Sequence, residues 1–399
     1  MKTLRRNTLC LASLSLLFAS PLGWAQTFTV PNTFVTGTPA SAADVNQNFS
    51  ATATAINAKQ NLVTGTCPTG QSIRAINANG SVVCQPLSFF GGDGSAGNLT
   101  VGTQSWTATP PVNPNFANIT INAGQVLTVP AGTTIRCSGT FTNAGTLNVD
   151  PGATSDGNFD ALANSPNGPA VFVTSVAHPG DTPGVATLGE QNNVGLANIQ
   201  ALGGGTGGKA IPRAVAQTSF GNFRFGGGSG AGYDNQGNRG GGLVKIYCEG
   251  AIINTGTINA RGEAGGNSTI AGGGGGIVVL ASRTSVANSG TINANGGNGA
   301  GSASWGGNAG GGGGGIVIMI SPTAPTLGTI NVAGGTGGTS ATSVTAGARI
   351  GGSGGGGSGG VGGDGGDVSS ATTGIVTNAA DGGVGYSLTM TLDPLSIAR

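Results

Sequence analysis

Two apolar runs stand directly behind tracts of glycine. AGGGGGIVVLA runs from Ala271 to Ala281, and AGGGGGGIVIMIS from Ala309 to Ser321. In both, the chain turns abruptly from glycine into a core-forming strand. A longer unit recurs around them. GGGLVKIYCEG is followed by IINTGTINARGEAGG, the first tract by VANSGTINANGGNG, and the second by TLGTINVAGGTGG. The tetrapeptides Gly256-Thr257-Ile258-Asn259 and Gly290-Thr291-Ile292-Asn293 are 34 residues apart, and Gly328-Thr329-Ile330-Asn331 comes 38 later. Gly145-Thr146-Leu147-Asn148 is a diverged relative. A last glycine tract, 351–366, precedes a closing apolar run from Tyr386 to Leu392. Each unit reads as strand, turn, strand, glycine loop. Periods of this size mark a stacked architecture in which no unit buries its own apolar face alone.

Upstream, FANITINAGQVLTVPAGTTIRCSGTFTNAGTLNV alternates apolar and polar positions at Ile119 and Ile121, less cleanly at Val126 and Leu127 to Val129, and again at Ile135, Cys137, Phe141, Leu147 and Val149. Turn residues at Ala123-Gly124, Pro130-Ala131-Gly132 and Asn143-Ala144-Gly145 cut this text into short strands. Such tight spacing suits a solenoid of short rungs or a sandwich. Between the two β sections, 151–239 is punctuated by Pro, Gly, Asn and Asp and reads as loops decorating the scaffold, with one short apolar run, Ala170-Val171-Phe172-Val173. Its aromatic cluster, Phe220, Phe223, Phe225 and Tyr233, has two readings. The rings pack onto glycine-rich backbone, or they line a sugar- or surface-binding face.

Near the N-terminus, Val45, Phe49, Ala53 and Ile56 repeat at spacings of 4, 4 and 3, one face of a helix. Ser41 is the candidate N-cap. The helix either lies on the next module or seeds an oligomer through residues 41–58. It is too short for three heptads. Next, Asn79-Gly80 is a hairpin turn between short strands, and Cys67 and Cys84 bracket it as a local bridge. The expected organisation is a signal peptide at 1–25, a helical segment at 26–60, a small disulfide module at 61–90, a β-rich section at 91–150, a loop-rich region at 151–239 and a glycine-rich β-repeat domain at 240–399.

The signal peptide is read from Lys2, Arg5 and Arg6, the apolar run from Leu9 to Phe18, and the small residues ending at Ala25. The run is short for a bilayer span. No later segment has the apolar length of a membrane helix. The expectation is therefore a chain exported by the Sec pathway, secreted or held at the cell surface, with no membrane span after processing. Export permits disulfides. Cys137 and Cys248 both lie in β-like runs, and whether they pair is left open.

Removing Lys2, Arg5 and Arg6 from 15 basic residues leaves 12 against 14 acidic ones, a charge of −2. Such a balance offers no bulk attraction for nucleic acid or an anionic membrane. Charged residues are 7% of the chain, against about 25% in ordinary domains. Glycine is 81 of 399. Fixing glycine costs more entropy than fixing any other residue. A tract kept beside a core strand therefore points to close backbone packing, with peptide groups paired between segments.

No catalytic constellation assembles. His178, the one histidine, has no nucleophile context and no G-x-S-x-G elbow. Asp160, Asp181, Glu190, Asp234, Glu249 and Glu263, with Arg239, are candidates for a glycosidase only as exported carboxylates, since no spacing singles out a pair. The glycine runs lack the G-K-[ST] of a phosphate loop. GGDGGDVS, Gly362 to Ser369, satisfies one copy of a nonapeptide Ca²⁺ pattern, which normally needs tandem copies. Asp364 and Asp367 are its candidate ligands, and no other metal or cofactor is expected.

FVTGTPASAADVNQNFSATATAINAKQ resembles a leader found in many exported bacterial and fibre-like proteins. TGTCPTGQSIRAINANGSVVCQ resembles a small disulfide module that often follows it. With its β-rich and glycine-rich parts, the chain is similar to bacterial extracellular glycine-rich, adhesin-like proteins. The glycine tracts also look like those of polyglycine-II adhesin tips on phage tail fibres. That likeness implies glycine segments packed side by side as left-handed extended helices, with loops at one end that contact a receptor. Together these readings give an all-β fold. It is a right-handed or irregular β-solenoid-like repeat with packed, polyglycine-II-like glycine loops, preceded by a short N-terminal helix. The expected role is a structural or adhesive scaffold that binds a cell-surface glycan or itself. The alternatives are a β-helical carbohydrate-active enzyme, glycosidase or lyase, and a non-specific extracellular matrix component.

Overall fold

The computed structural model describes residues 29–60, 63, 65–67, 71–77, 79–86, 90–150, 204–223, 226–231, 238–265, 270–301, 307–339, 343–344, 352–368 and 374–397. The proposed signal peptide, the run Ala170–Val173, His178, Asp160, Asp181, Glu190, Phe225, Tyr233 and Asp234 lie outside them. The chain divides into two compact units, Met1–Leu87 and Ser88–Arg399.

In the first unit a helix spans Ala42–Gln60. Ser41 caps it as its sequence suggests, accepting the Ala43 N–H on Oγ at 3.2 Å. Asn32 lies against the helix and exchanges hydrogen bonds with Asn48, in both directions at 2.9 Å. Within this unit Phe49 and Ile56 remain 69% and 52% exposed. A separate antiparallel hairpin pairs Gln71–Ile76 with Val82–Pro86. Its turn uses Gly80 at φ 83, a left-handed conformation that glycine adopts without strain. The Cys67–Cys84 disulfide staples the hairpin, with Cα atoms 5.5 Å apart.

The second unit is an all-β, solenoid-like stack of three parallel sheets. Sheet I runs through Leu99–Val101, Ile119–Ile121, Phe141–Asn143, Ile252–Asn254 and Val286–Asn288. Sheet II contains Gln104–Ser105, Val126–Val129, Thr146–Val149, Thr257–Asn259, Thr291–Asn293 and Thr329–Asn331. Sheet III contains Asn115–Phe116, Thr133–Cys137, Leu243–Cys248, Ile277–Ser282, Ile316–Ser321 and Tyr386–Thr391. The chain visits III, I and II in turn, so the first two glycine-rich units carry three strands rather than two, while the third reaches sheet I only through an isolated bridge from Thr326 to Ala287. The break lies at Asn254-Thr255-Gly256, between Ile252–Asn254 in sheet I and Thr257–Asn259 in sheet II. The sections on either side of 151–239 share these sheets. Thr146, Leu147 and Asn148 pair in register with Thr257, Ile258 and Asn259.

Alternating residues from all three sheets point into one core. Ile121, Leu127, Ile135, Phe141, Ile246, Ile258, Leu280 and Ile292 meet there fully buried. Sheet III differs, because Ile277–Ser282 and Ile316–Ser321 are buried at every position. A second core covers the outer face of this sheet. Ile211, Ala216, Phe220 and Phe223 pack there on Leu243, Ile277, Val279, Ile316 and Ile318. They flank or lie on a short helix, Arg213–Ser219, and a 3₁₀ turn, Phe220–Asn222. Part of the region read as decorating loops is therefore a lid that completes a core. This two-sided burial is why IVVL and IVIMI lack the polar alternation of a half-exposed strand. Lys245 turns its ammonium up to the lid and donates to the carbonyls of Gly221 and Phe223, at 3.2 and 3.0 Å.

Candidate functional site

The glycine tracts all leave the solenoid at one corner. Each long excursion follows a strand of sheet II and returns into a strand of sheet III: 150–242, 260–276, 294–315 and 332–385. In the last three, outgoing and returning legs run side by side and pair through backbone hydrogen bonds.

The leg 307–315 shows the rule. Ala309, Gly312 and Gly315 donate to Ala300, Gly297 and Ala294, at 2.9, 2.8 and 2.7 Å. Gly310 and Gly313 donate to a second neighbour at Ser353 and Gly356, at 2.7 and 2.8 Å. Gly311 and Gly314 donate to a third at Ala380 and Gly383, at 3.1 and 2.8 Å. The same leg accepts bonds from Gly272 and Gly275, from Gly335 and Gly338, and from Gly360, Gly363 and Gly366. Six segments thus surround it, and its donors cycle over three of them every three residues. Three residues per turn with no internal hydrogen bond is the periodicity of a polyproline-II-type helix. The leg 270–276 behaves alike. It donates to Ala231 and Gly228, to Gly310 and Gly313, and to Glu263 and Ala260. The two tracts that stand out in the sequence are these two interior legs.

Close approach explains the glycine. A Cβ on Gly311, Gly312 or Gly313 would collide with the carbonyl oxygen of Gly335, Gly273 or Gly360 respectively. Positive φ is not the reason, since no glycine of these two tracts adopts it.

Where a leg lies at the edge of the bundle, side-chain oxygens replace the missing carbonyls. Asp364 and Asp367 accept the N–H groups of Gly207 and Gly204, both at 2.7 Å. Asn295 and Asn298 accept from Ala333 and Thr336, both at 3.0 Å. Asp381 accepts from Gly337 at 2.8 Å. The three-residue spacing of each pair matches one turn of the leg it serves. The carboxylates in GGDGGDVS are therefore engaged with backbone amides, and among the described residues no group of three or more His, Cys, Asp or Glu is placed to share a metal.

The remaining candidates are placed as follows. Phe220 and Phe223 are each 1% exposed, so they pack in the core over sheet III and do not line a ligand face. Glu263 forms an ion pair with Arg239 at 2.6 Å. Glu249 pairs with Arg283 at 2.9 Å and also accepts the Gly91 N–H at 3.1 Å. Cys137 and Cys248, opposite each other in sheet III, form a second disulfide, with Cα atoms 4.6 Å apart. Tyr247 stacks on Phe90 with ring centroids 4.9 Å apart, and burial pushes its phenol up to about 12 against the nearby charge of Arg136. Among the described residues, no helix is long and apolar enough to cross a membrane.

Away from the solenoid corner, the described legs finish at a common end. Gly230 donates to Asn238, Ala271 to Ala231, Ala300 to Ile270, Ala309 to Ala300, and Gly338 to Ala309. Asn308 adds a side-chain bond to the Thr377 carbonyl at 3.1 Å. The stretches that join these legs are GYDNQG (232–237), GNST (266–269), SASWG (302–306), SATSVTAGARIG (340–351) and SSATT (369–373). No protein-family model, curated protein or solved structure matches the chain.

Proposed function

We propose that the chain is an exported, surface-exposed structural or adhesive protein. In this reading the solenoid anchors a polyglycine-II-like bundle, and the bundle presents loops to a surface glycan. The observation that carries it is the gathering of the leg ends. Five joining stretches leave and re-enter at one end of a bundle whose interior peptide groups are paired. Recognition commonly sits on loops held by a rigid scaffold. These stretches are rich in Ser, Thr, Asn and Gly, and they include Tyr233 and Trp305. Hydroxyl and amide groups with an occasional aromatic ring suit a neutral sugar better than a charged partner. A matrix role resting on disordered glycine tracts fits poorly with the paired amides of 272–276 and 310–315.

The test is a glycan and whole-cell binding screen with the full chain, set against a variant carrying Tyr233→Ala and Trp305→Ala. Binding by the parent that is weakened in the variant, with the thermal transition unchanged, supports loop-borne recognition. No binding by the parent, or equal binding by both, removes it.

A further inference from the structure

Sheet II carries a regular outward face that the loop-presenting role does not use. Its inward residues are Leu127, Leu147, Ile258 and Ile292, all buried in the main core. On its last four strands the outward residues form two rows, which on Val126–Val129 are continued by Val126 and Thr128. Thr146, Thr257, Thr291 and Thr329 pair in register from strand to strand, and so do Asn148, Asn259, Asn293 and Asn331. The units are separated by long excursions in sequence, yet the rows are unbroken in space.

The Asn row is locked. Asn259 donates to Asn148 at 3.0 Å, Asn293 to Asn259 at 2.8 Å, and Asn331 to Asn293 at 2.7 Å. The threonine hydroxyls of the other row have no protein hydrogen bond among the described residues. All four threonines are at least partly exposed. The two rows contain no charged or aromatic side chain.

Neighbouring strands lie about 4.7–4.9 Å apart, and alternate residues along a strand are separated by about 6.6 Å. The face is therefore a near-rectangular grid of hydroxyl, methyl and amide groups with those two repeats. A dissolved ligand has no need of such periodicity, whereas a crystalline lattice can match it. Sugars of a crystalline polysaccharide are usually held by stacking on aromatic rings, and this face has none. The strand-to-strand repeat is close to the shorter oxygen repeat of the prism faces of hexagonal ice, and the along-strand repeat falls somewhat short of the longer one. Uncharged hydroxyl and methyl groups can also hold water in that pattern without the tight hydration shell of an ion. Because the Asn row is ordered beforehand, little side-chain freedom would be lost on contact.

We infer that the Thr–Asn face of sheet II binds ice. The full chain is expected to partition into a slowly growing ice front and to slow recrystallisation of fine-grained ice. The double variant Thr257→Tyr/Thr291→Tyr, whose rings would stand out of the plane, is expected to lose most of both effects. Thr142→Tyr, on the outward side of sheet I, is expected to keep them. Thr291→Lys is a second, soluble way to break the face should the double variant fold poorly, and circular dichroism melts establish folding for each. The inference is overturned if the parent behaves like an inert globular protein in both assays. It is equally overturned if the folded face variants retain full activity, or if the parent sediments with crystalline cellulose or chitin while ignoring ice. Loss of glycan binding in the Tyr233/Trp305 variant would leave the ice result untouched, so the two proposals fail separately.

Discussion

At the residue scale the missing Cβ decides most of the glycine-rich half. Gly312 donates to Gly297 at 2.8 Å and accepts from Gly335 at 2.7 Å, and an added methyl group would strike the carbonyl of Gly273. The surrounding atoms are backbone of other legs and cannot rotate away. Gly312→Ala should therefore destabilise by about 1–3 kcal/mol, the usual range for overpacking. Gly102 meets nothing within 4 Å and does not have positive φ, so Gly102→Ala should be neutral or stabilise by a few tenths up to about 1 kcal/mol. Urea titrations of the two variants make the comparison. Tyrosine gives a second residue-scale expectation. Burial raises Tyr247 and Tyr386 from 10.0 to about 12 in the folded chain. Between those values the unfolded chain releases phenol protons that the folded chain keeps. Stability should thus fall as pH rises above about 10, with no contribution from these groups at neutral pH. Phenolate absorbance should show both tyrosines ionising late, and ordinary titration of both near 10 in the folded protein would contradict this.

At the scale of elements, a sheet here is specified by ladders as much as by its apolar side. Asn143, Asn254 and Asn288 are fully buried at the corner between sheets I and II. Asn143 donates to Asn254, and Asn254 to Asn288, both at 2.7 Å. Asn254→Ala would strand an amide donor on one side and an oxygen on the other. Each buried unsatisfied group costs about 1–3 kcal/mol. Asn259 occupies the equivalent place in the outer ladder, where water can replace its bonds. Asn259→Ala should therefore cost clearly less than Asn254→Ala in the same denaturation experiment, and a reversed order would mean that the corner ladder is not what sets the bend. The inner ladder was open to view in the sequence as N-x-G-T-[IL]-N, with an asparagine three residues before each of three T-[IL]-N strands. The G-T-I-N part alone does not show the bend that separates the strands of sheets I and II. The apolar runs gave sheet III directly, whereas the lid over it was hidden. Arg213–Ser219 is seven residues long, too short for a helical period to rise above the surrounding loop text.

At the scale of the whole molecule, the stack was legible because its repeats are explicit in sequence, and the bundle because glycine tracts abut core strands. What could not be read is which distant segments meet. The period-three donor pattern of 307–315 involves neighbours up to about seventy positions away, and glycine carries no side chain to announce its partner. The same holds for the join between the first β section and the repeats. Thr133–Cys137 and Leu243–Cys248 are adjacent strands, yet more than a hundred residues of chain separate them. Closing that excursion is the largest loop cost in the solenoid, and the Cys137–Cys248 disulfide spans it with a sequence separation of 111. In the chain-entropy picture, a bridge closing a loop of that size stabilises by about 4–5 kcal/mol. Both cysteines are fully buried in the main core, so a reductant should reach them only after the stack opens. The double variant Cys137→Ser/Cys248→Ser should lower the unfolding free energy by several kcal/mol. Reductant added to the parent should leave the folded signal intact while lowering its thermal midpoint. The Cys67–Cys84 bridge closes a much shorter loop, with a separation of 17, in the other unit. Its removal should leave the transition of the solenoid where it was. If the solenoid transition moves with Cys67 and Cys84 rather than with Cys137 and Cys248, the long excursion is not the weak point of the stack.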